Sequence, residues 1–398
     1  MPADLTHEMR RGEAPMPETA DVVIIGGGII GASVAWSLAR RQAGRIVVLE
    51  KEKYTGRGST AYSAGGVREQ FSSAINILMS HYSLDVYARF SREMDQDIDY
   101  KQAGYMFLAS TKATAQALIQ SVALQNRLGV DSCIITAAQA REHVRDLFVD
   151  DIQAAAYNAR DGYVDPASIC QGYVQRARDM GVEFRTSTTV TGINVQGDRV
   201  TGVITSDGQV GTDTVVNACG PYLREIGEMA GVDVPARPYR RMLFITEEFS
   251  LSPNLVPLTI DMTTGFYFRD EGRGLMIGLA NAAEPSSFNT TLDWDYLPTI
   301  LEHALHRIPT VEDAEIGKGW AGLYDITPDH HALLGAFPER PNFYLAGGFS
   351  GHGVMHAPAA ACVISEIILD GVASTLDVTS LAPTRVREGR LLHEQNVI

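Results

Sequence analysis

Positive charge is in short supply: 33 Lys and Arg stand against 48 Asp and Glu, a formal net charge of −15. That balance excludes a general nucleic-acid or anionic-membrane surface, because a phosphate-rich partner is repelled by such a field. It leaves the inside of a pocket free to be locally positive. Cysteine is also scarce. Cys133, Cys170, Cys219 and Cys362 are scattered with no C-x-x-C pair, which excludes a cysteine metal framework and a disulfide scaffold and fits a reducing cytoplasm. No apolar run reaches the ~18 residues needed to cross a bilayer. The first 20 residues mix Asp, Glu, Arg, His and Pro without an apolar stretch. They read as a mobile leader rather than a secretory signal, with the ordered chain beginning near Ala20. At 398 residues and 45% hydrophobic content, the chain has material for about two domains.

What is present is concentrated near the start. Val22-Val23-Ile24-Ile25 leads into Gly26-Gly27-Gly28-Ile29-Ile30-Gly31-Ala32-Ser33, and Ile46-Val47-Val48-Leu49-Glu50 follows. Gly26, Gly28 and Gly31 fit G-x-G-x-x-G between an expected strand and an expected helix. The first glycine permits the tight turn, the second a close approach to a pyrophosphate, and the third close packing of helix on strand. The helix start offers free N–H groups and the positive end of a dipole. Glu50 lies 19 residues after Gly31, near the offset expected for an acid that grips a ribose. Strand, helix, second strand and acid in register point to an adenine dinucleotide.

Farther along, a Gly- and Ser-rich loop covers 54–66, and helical spacing marks 74–95 and 111–129. Pro166 to Met180 reads as a helix with Pro in its first turn and Gly181 after its end. Strand-like segments occupy 182–205, and Val215-Val216-Asn217 returns to a buried-strand pattern. Between 239 and 280 the texture becomes alternating, as in Met242-Leu243-Phe244-Ile245, Phe266-Tyr267-Phe268-Arg269 and Leu275-Met276-Ile277-Gly278, which is the language of antiparallel sheet. Strand (343–346), glycine loop and long helix (353–370) then resume. The expected fold class is α/β: a Rossmann-type dinucleotide domain interleaved with an α+β domain built on an antiparallel sheet.

Four blocks carry a resemblance: the glycine motif; Gly58-Ser59-Thr60-Ala61-Tyr62-Ser63-Ala64-Gly65-Gly66-Val67-Arg68; Trp320-Ala321-Gly322-Leu323-Tyr324-Asp325-Ile326-Thr327-Pro328-Asp329; and Gly347-Gly348-Phe349-Ser350-Gly351-His352-Gly353. Over about residues 20–372 the chain resembles the D-amino-acid oxidase/sarcosine oxidase (DAO) family of FAD enzymes, nearest to sarcosine oxidase β-subunit-like and D-amino-acid dehydrogenase-like members. The resemblance implies an FAD-binding domain at 20–95, 151–235 and 330–375, a substrate-binding domain at 96–150 and 236–329, a leader at 1–19 and a C-terminal tail at 376–398. It implies FAD contacts at Gly26, Gly28, Ile29, Ile30, Gly31, Glu50, Lys51, Ser59, Thr60, Ala64, Gly65, Gly66, Val190, Ala218, Gly220, Gly322, Gly348, Ser350, Gly351, His352, Gly353 and Val354. Glycine N–H groups at the start of the 353–370 helix are placed to stabilise negative charge on reduced flavin.

The implied chemistry is hydride transfer from the carbon beside an amine nitrogen to flavin N5, giving an imine that hydrolyses. Arg241 and Tyr267 match substrate-carboxylate positions of D-arginine dehydrogenase-type members, and a guanidinium fork suits a carboxylate. Arg68 follows the glycine loop where sarcosine oxidases carry a substrate-side arginine, with Arg269 a further candidate. Tyr324 and Trp320 are candidate walls of the site, and His352 lies inside the flavin loop. His330, His331, His352 and His356 lack cysteine or carboxylate partners at ligand spacing, so no metal is expected. Three departures stand out. Gly322 replaces the cysteine that tethers FAD in monomeric sarcosine oxidases, so non-covalent FAD is expected. Met276 and Met355 replace two lysines, one of which activates oxygen there. These changes favour a dehydrogenase passing electrons to a quinone or an electron-transfer protein, with an oxygen-using, peroxide-forming oxidase as the alternative. Resemblance to β-type subunits leaves heteromeric partners open. The stretch 63–72 also resembles mitochondrial FAD-dependent oxidoreductase domain-containing proteins, which implies a third reading: a flavin-binding assembly factor with vestigial catalysis.

Overall fold

The computed structural model describes residues 18–251 and 255–397. Most of the leader expected at 1–19 therefore lies outside the described residues. Glu18–Thr19, its last two positions, form a short strand parallel to Gly208–Gly211, so regular structure begins two residues earlier than expected.

The apolar runs around the glycine motif become the middle of a six-stranded sheet. Its order is Leu333–Phe337, Arg340–Gly347, Val215–Asn217, Val22–Ile25, Ile46–Leu49, Glu183–Arg185. All neighbours are parallel except the first pair. Such strands are covered on both faces, which is why they read as unbroken Val and Ile rather than as alternation. Val23, Ile24, Val47 and Val48 are fully buried, each contributing roughly 1.5–3 kcal/mol of burial. The motif helix Ile29–Arg40 and the helix Gly353–Asp370 pack together, with Ser37 Oγ donating to Ser365 Oγ at 2.9 Å. Gly353–Asp370 has a mean hydropathy of 1.4, enough by length and composition to cross a membrane, yet 67% of it is buried inside the protein. It is a core helix here.

The alternating segments form an eight-stranded, largely antiparallel sheet: Ile316–Ile326, Arg237–Thr246, Gly274–Gly278, Tyr267–Glu271, Leu258–Asp261, Tyr105–Ala109, Ala154–Asn158, Cys133–Ile135. Leu258–Asp261 pairs parallel with Tyr105–Ala109. Ala154–Asn158 belongs to this sheet, although the sequence-based division assigned everything from 151 to the FAD domain. Its Ala154-Ala155-Ala156 run is buried on both faces and so carries no period-two signature. Residues 383–397, expected as a tail, fold back onto the body: Arg385 is fully buried and ion-paired to Asp329 at 2.8 Å.

Candidate functional site

A cavity of about 730 Å³ opens at the C-terminal ends of the parallel strands, where Ile25, Leu49, Ala218 and Gly347 line it, and runs to the face of the large sheet. Ligands in open α/β folds bind at this end because helix N-termini converge there. Gly28 is the N-cap of Ile29–Arg40 and supplies no side-chain cap. Thr60 Oγ1 takes the Ile29 N–H at 3.1 Å, leaving the following N–H groups for an anion. Glu50 accepts the N–H groups of Gly27 (2.7 Å) and Glu52 (2.8 Å), which fixes its carboxylate at the cavity wall.

Of the expected FAD contacts, Gly26, Gly28, Ile29, Ile30, Glu50, Lys51, Ser59, Thr60, Ala64, Val190, Ala218, Gly220, Gly322, Gly351, Gly353 and Val354 line this cavity. Five others do not. Gly31 lies behind the wall, where a Cβ would sit 1.9 Å from Gly26 O. Gly65 (φ +71°) and Gly348 (φ +71°) are turn formers pressed against Val164 O and Thr327. Ser350 is buried with its hydroxyl 3.2 Å from the Thr327 N–H. Gly66 and His352 face instead a small neighbouring cavity of about 40 Å³, lined also by Ser63, Ala64, Tyr105, Leu258, Tyr267, Tyr324, Gly351 and Met355.

Arg241, Tyr267 and Tyr324 all line the large cavity, and the two tyrosines also wall the small one. Arg240 and Arg241 are neighbours on the strand Arg237–Thr246, so they point to opposite faces. Arg240 is buried in ion pairs with Glu284 (2.9 Å) and Asp293 (3.3 Å). Arg241 has no ion pair among the described residues. Its guanidinium lies 5.3 Å over the Tyr324 ring, and its buried Nε has no partner. Burial pushes the Tyr267 phenol well above its ordinary range and raises Tyr324, so both stay protonated as hydrogen-bond donors. Burial, reinforced by the Arg68 charge, holds the His352 imidazole well below its usual range, hence neutral.

Other expectations are corrected. Arg68 reaches neither cavity; it is fully buried, stacked 3.9 Å over Phe71. Arg269 is taken up by Glu271 at 2.7 Å and by Ala64 O. Trp320 backs the wall rather than forming it, donating Nε1–H to Tyr62 O at 3.1 Å. Met276 is buried behind Tyr267 in the sheet core, so only Met355 of the two methionines meets a cavity. Sequence reading missed Tyr222 and Phe288, which line the large cavity as a parallel stack 4.6 Å apart, with Lys51 Nζ 3.6 Å from the Tyr222 ring centroid. They come from separate segments whose approach leaves no local signal.

Asp325 was also missed as a functional candidate. It lines the large cavity, accepts the Gly348 N–H at 2.7 Å and so holds the 347–353 loop. Burial raises its pKa to about 6. The charged carboxylate is therefore lost as pH falls through about 6, rather than in the usual acid range. The spectrum of bound flavin should shift with a midpoint near that pH, and Asp325→Asn should remove the midpoint. A flat wild-type spectrum from about pH 5 to pH 8 would show that Asp325 does not control the loop.

Residues 21–367 match the family described as FAD dependent oxidoreductase (DAO). The chain belongs to that family. It is 31% identical to FAD-dependent oxidoreductase domain-containing protein 1 of Xenopus laevis over 439 residues, covering 97% of this chain and 86% of that protein. It is also 31% identical to the mitochondrial sarcosine dehydrogenase of Mus musculus over 372 residues, covering 90% of this chain but 40% of that protein. The solved L-proline dehydrogenase from P. horikoshii superposes with a TM-score of 0.88 at 30% identity, covering 95% of this chain and 100% of that one. FAD is the cofactor of this DAO protein, and the residues present fit it. At Gly26 a Cβ would meet Ala218 O at 2.5 Å, a helix start with no cap from Gly28 faces the cavity, and the volume is that of a large ligand.

Proposed function

We propose that this protein is an FAD-dependent dehydrogenase that oxidises the C–N bond of a small amino acid or N-methylated amino acid. The observation that carries the reading is Arg241: a guanidinium on the cavity wall, without an ion pair among the described residues, beside two protonated phenols. Arg241 would hold the substrate carboxylate as a bidentate pair, with the Tyr267 hydroxyl donating to the same group. Bound FAD supplies a two-electron acceptor for the hydride leaving the α-carbon. The amine lone pair then forms C=N, and water hydrolyses the imine to a carbonyl compound and ammonia or a methylamine. The small chamber is lined by neutral His352 and the apolar Leu258 and Met355 and, among the described residues, by no carboxylate. Such a setting favours the uncharged amine, so the substrate nitrogen can lose its proton before oxidation.

Relatives support the substrate class. Sarcosine and dimethylglycine dehydrogenases and the L-proline dehydrogenase structure are all named for an amino acid whose nitrogen bears an extra carbon. A dehydrogenase, rather than an oxidase, is favoured by methionine at both 276 and 355, where the oxidases carry lysines. Non-covalent FAD is favoured by Gly322, which offers no thiol and stands directly opposite Arg241 in the sheet register. The test is an anaerobic screen of amino acids and N-methyl amino acids, watching flavin absorbance bleach. Reduction by one of them, with slow reoxidation by oxygen and fast reoxidation by a quinone or dye, is the expected result. Flavin that no amine reduces would instead favour a binding role with vestigial catalysis.

A further inference from the structure

Arg68 is a buried cation without an anion. Its guanidinium donates to the Gln70 and Asn396 carbonyls, the latter at 2.6 Å, and Nε has no partner. Among the described residues no carboxylate forms an ion pair with it; Glu394 and Asp161 act only through space. A buried charge of this kind is costly and persists only where its surroundings hold it in place. One of its two carbonyl partners comes from the segment 392–396, more than 300 residues away in sequence.

That segment is itself locked by one side chain. The buried Glu394 carboxylate accepts the N–H of Ser72 (2.7 Å) and Ser73 (3.2 Å), the hydroxyls of Ser72 (2.6 Å) and Ser73 (2.7 Å), and the Asn76 amide (3.1 Å). Ser73 is the N-cap of the helix Ala74–Met94 but makes no side-chain cap of its own. Glu394 therefore places a negative charge at the start of that helix, where it suits the dipole. Leu392 N–H adds a bond to Asp329 at 3.2 Å, and Asp329 is held in turn by Arg385.

From Arg68 the connection reaches the small chamber. The Phe71 ring under the guanidinium meets His352 edge-on at 4.9 Å between centroids, and Gln70 Nε2 donates to Tyr105 O at 3.0 Å. His352 and Tyr105 both line the chamber. We propose that residues 392–396 are a built-in strap, with Glu394 as its lock. The strap positions Arg68 as a fixed positive charge one layer behind the chamber wall, where it selects the anionic end of the substrate. The proposal deepens the amino-acid reading above and rests on it for the identity of that anion. Arg68 and Glu394 are positioning residues: neither lines a cavity.

The test uses the FAD-loaded full chain, its Glu394→Gln variant, and a variant lacking residues 391–398. No residue of the strap lines the FAD cavity, so both variants should keep their flavin. Two measurements follow. Phenylglyoxal modification with peptide mapping reads the exposure of Arg68: protected in the parent, it should label about tenfold faster once the strap is loosened. Acetate and acetamide binding, read from the flavin spectrum, reports charge selection: the preference for acetate should fall about tenfold in the variants. Faster labelling together with lost preference supports the proposal. Unchanged Arg68 labelling in folded, flavin-bearing Glu394→Gln overturns it, whether or not the truncated variant folds. Faster labelling with an unchanged acetate preference also overturns it, because Arg68 would then play no part in selection. If the parent itself shows no preference for acetate, the carboxylate reading of the site fails, and labelling alone then decides whether the strap holds Arg68.

Discussion

Gly31→Ala should leave the purified protein without FAD. A Cβ at that position would lie 1.9 Å from Gly26 O and 3.0 Å from Gly26 C. Both obstacles are backbone, so no flexible side chain can move aside. The motif helix must lift away from the strand Val22–Ile25, although nine residues of that helix are buried. Overpacking of this sort costs about 1–3 kcal/mol in the fold. For FAD the loss is larger, because the N–H groups at the helix start would all leave the phosphates together. Affinity should fall by at least about a hundredfold, roughly 2.7 kcal/mol, read as flavin stoichiometry after desalting. Gly211→Ala is the control: its Cβ would meet only ordinary contacts, the nearest Thr19 Cγ2 at 3.4 Å, it does not line the cavity, and its flavin content should stay at the parent level. If Gly31→Ala binds FAD within about threefold of the parent, close packing at residue 31 is not what sets the phosphate site.

The glycine motif, the strands beside it and the helix Gly353–Asp370 were legible because their signals are local: a glycine spacing, an unbroken apolar run, a helical period. The antiparallel region was legible through alternation. Ala154–Asn158 was not, since burial on both faces erases the alternation that marks a strand. The arginines show where pattern stops. Arg240 and Arg241 must face opposite sides of a strand, yet nothing in the sequence says which side is the cavity; the pairing of Arg240 with Glu284 and Asp293, more than 40 residues away, decides it. Arg269 could have been set aside earlier, because Glu271 two residues on in a strand shares its face. Arg68 could not, because its fate depends on residues 392–396 returning across the whole chain. Contacts at such separation leave no periodic trace in the sequence.

Arg241→Met is the substitution expected to cost most in turnover without touching the fold. The strand Arg237–Thr246 is paired along its length with Ile316–Ile326, and Met is long enough to fill the space over the Tyr324 ring. The flavin spectrum should therefore be unchanged. What should disappear is the charged, two-pronged contact proposed for the substrate carboxylate. Loss of such a contact costs about 2–5 kcal/mol, so kcat/KM should fall by roughly thirtyfold to several thousandfold. Arg241→Lys should recover only part of this, because an ammonium supplies the charge but not the planar fork. An amino acid and its amide should become nearly equal substrates for the Met variant, whereas the parent prefers the acid. The fall should appear in KM if the contact is equally strong before and during hydride transfer, and in kcat if it tightens at the transition state. Should Arg241→Met keep kcat/KM within about threefold of the parent, the carboxylate is bound elsewhere. Arg269 is already committed to Glu271, so the fixed charge of Arg68 behind the small chamber would then be the cation left to attract it.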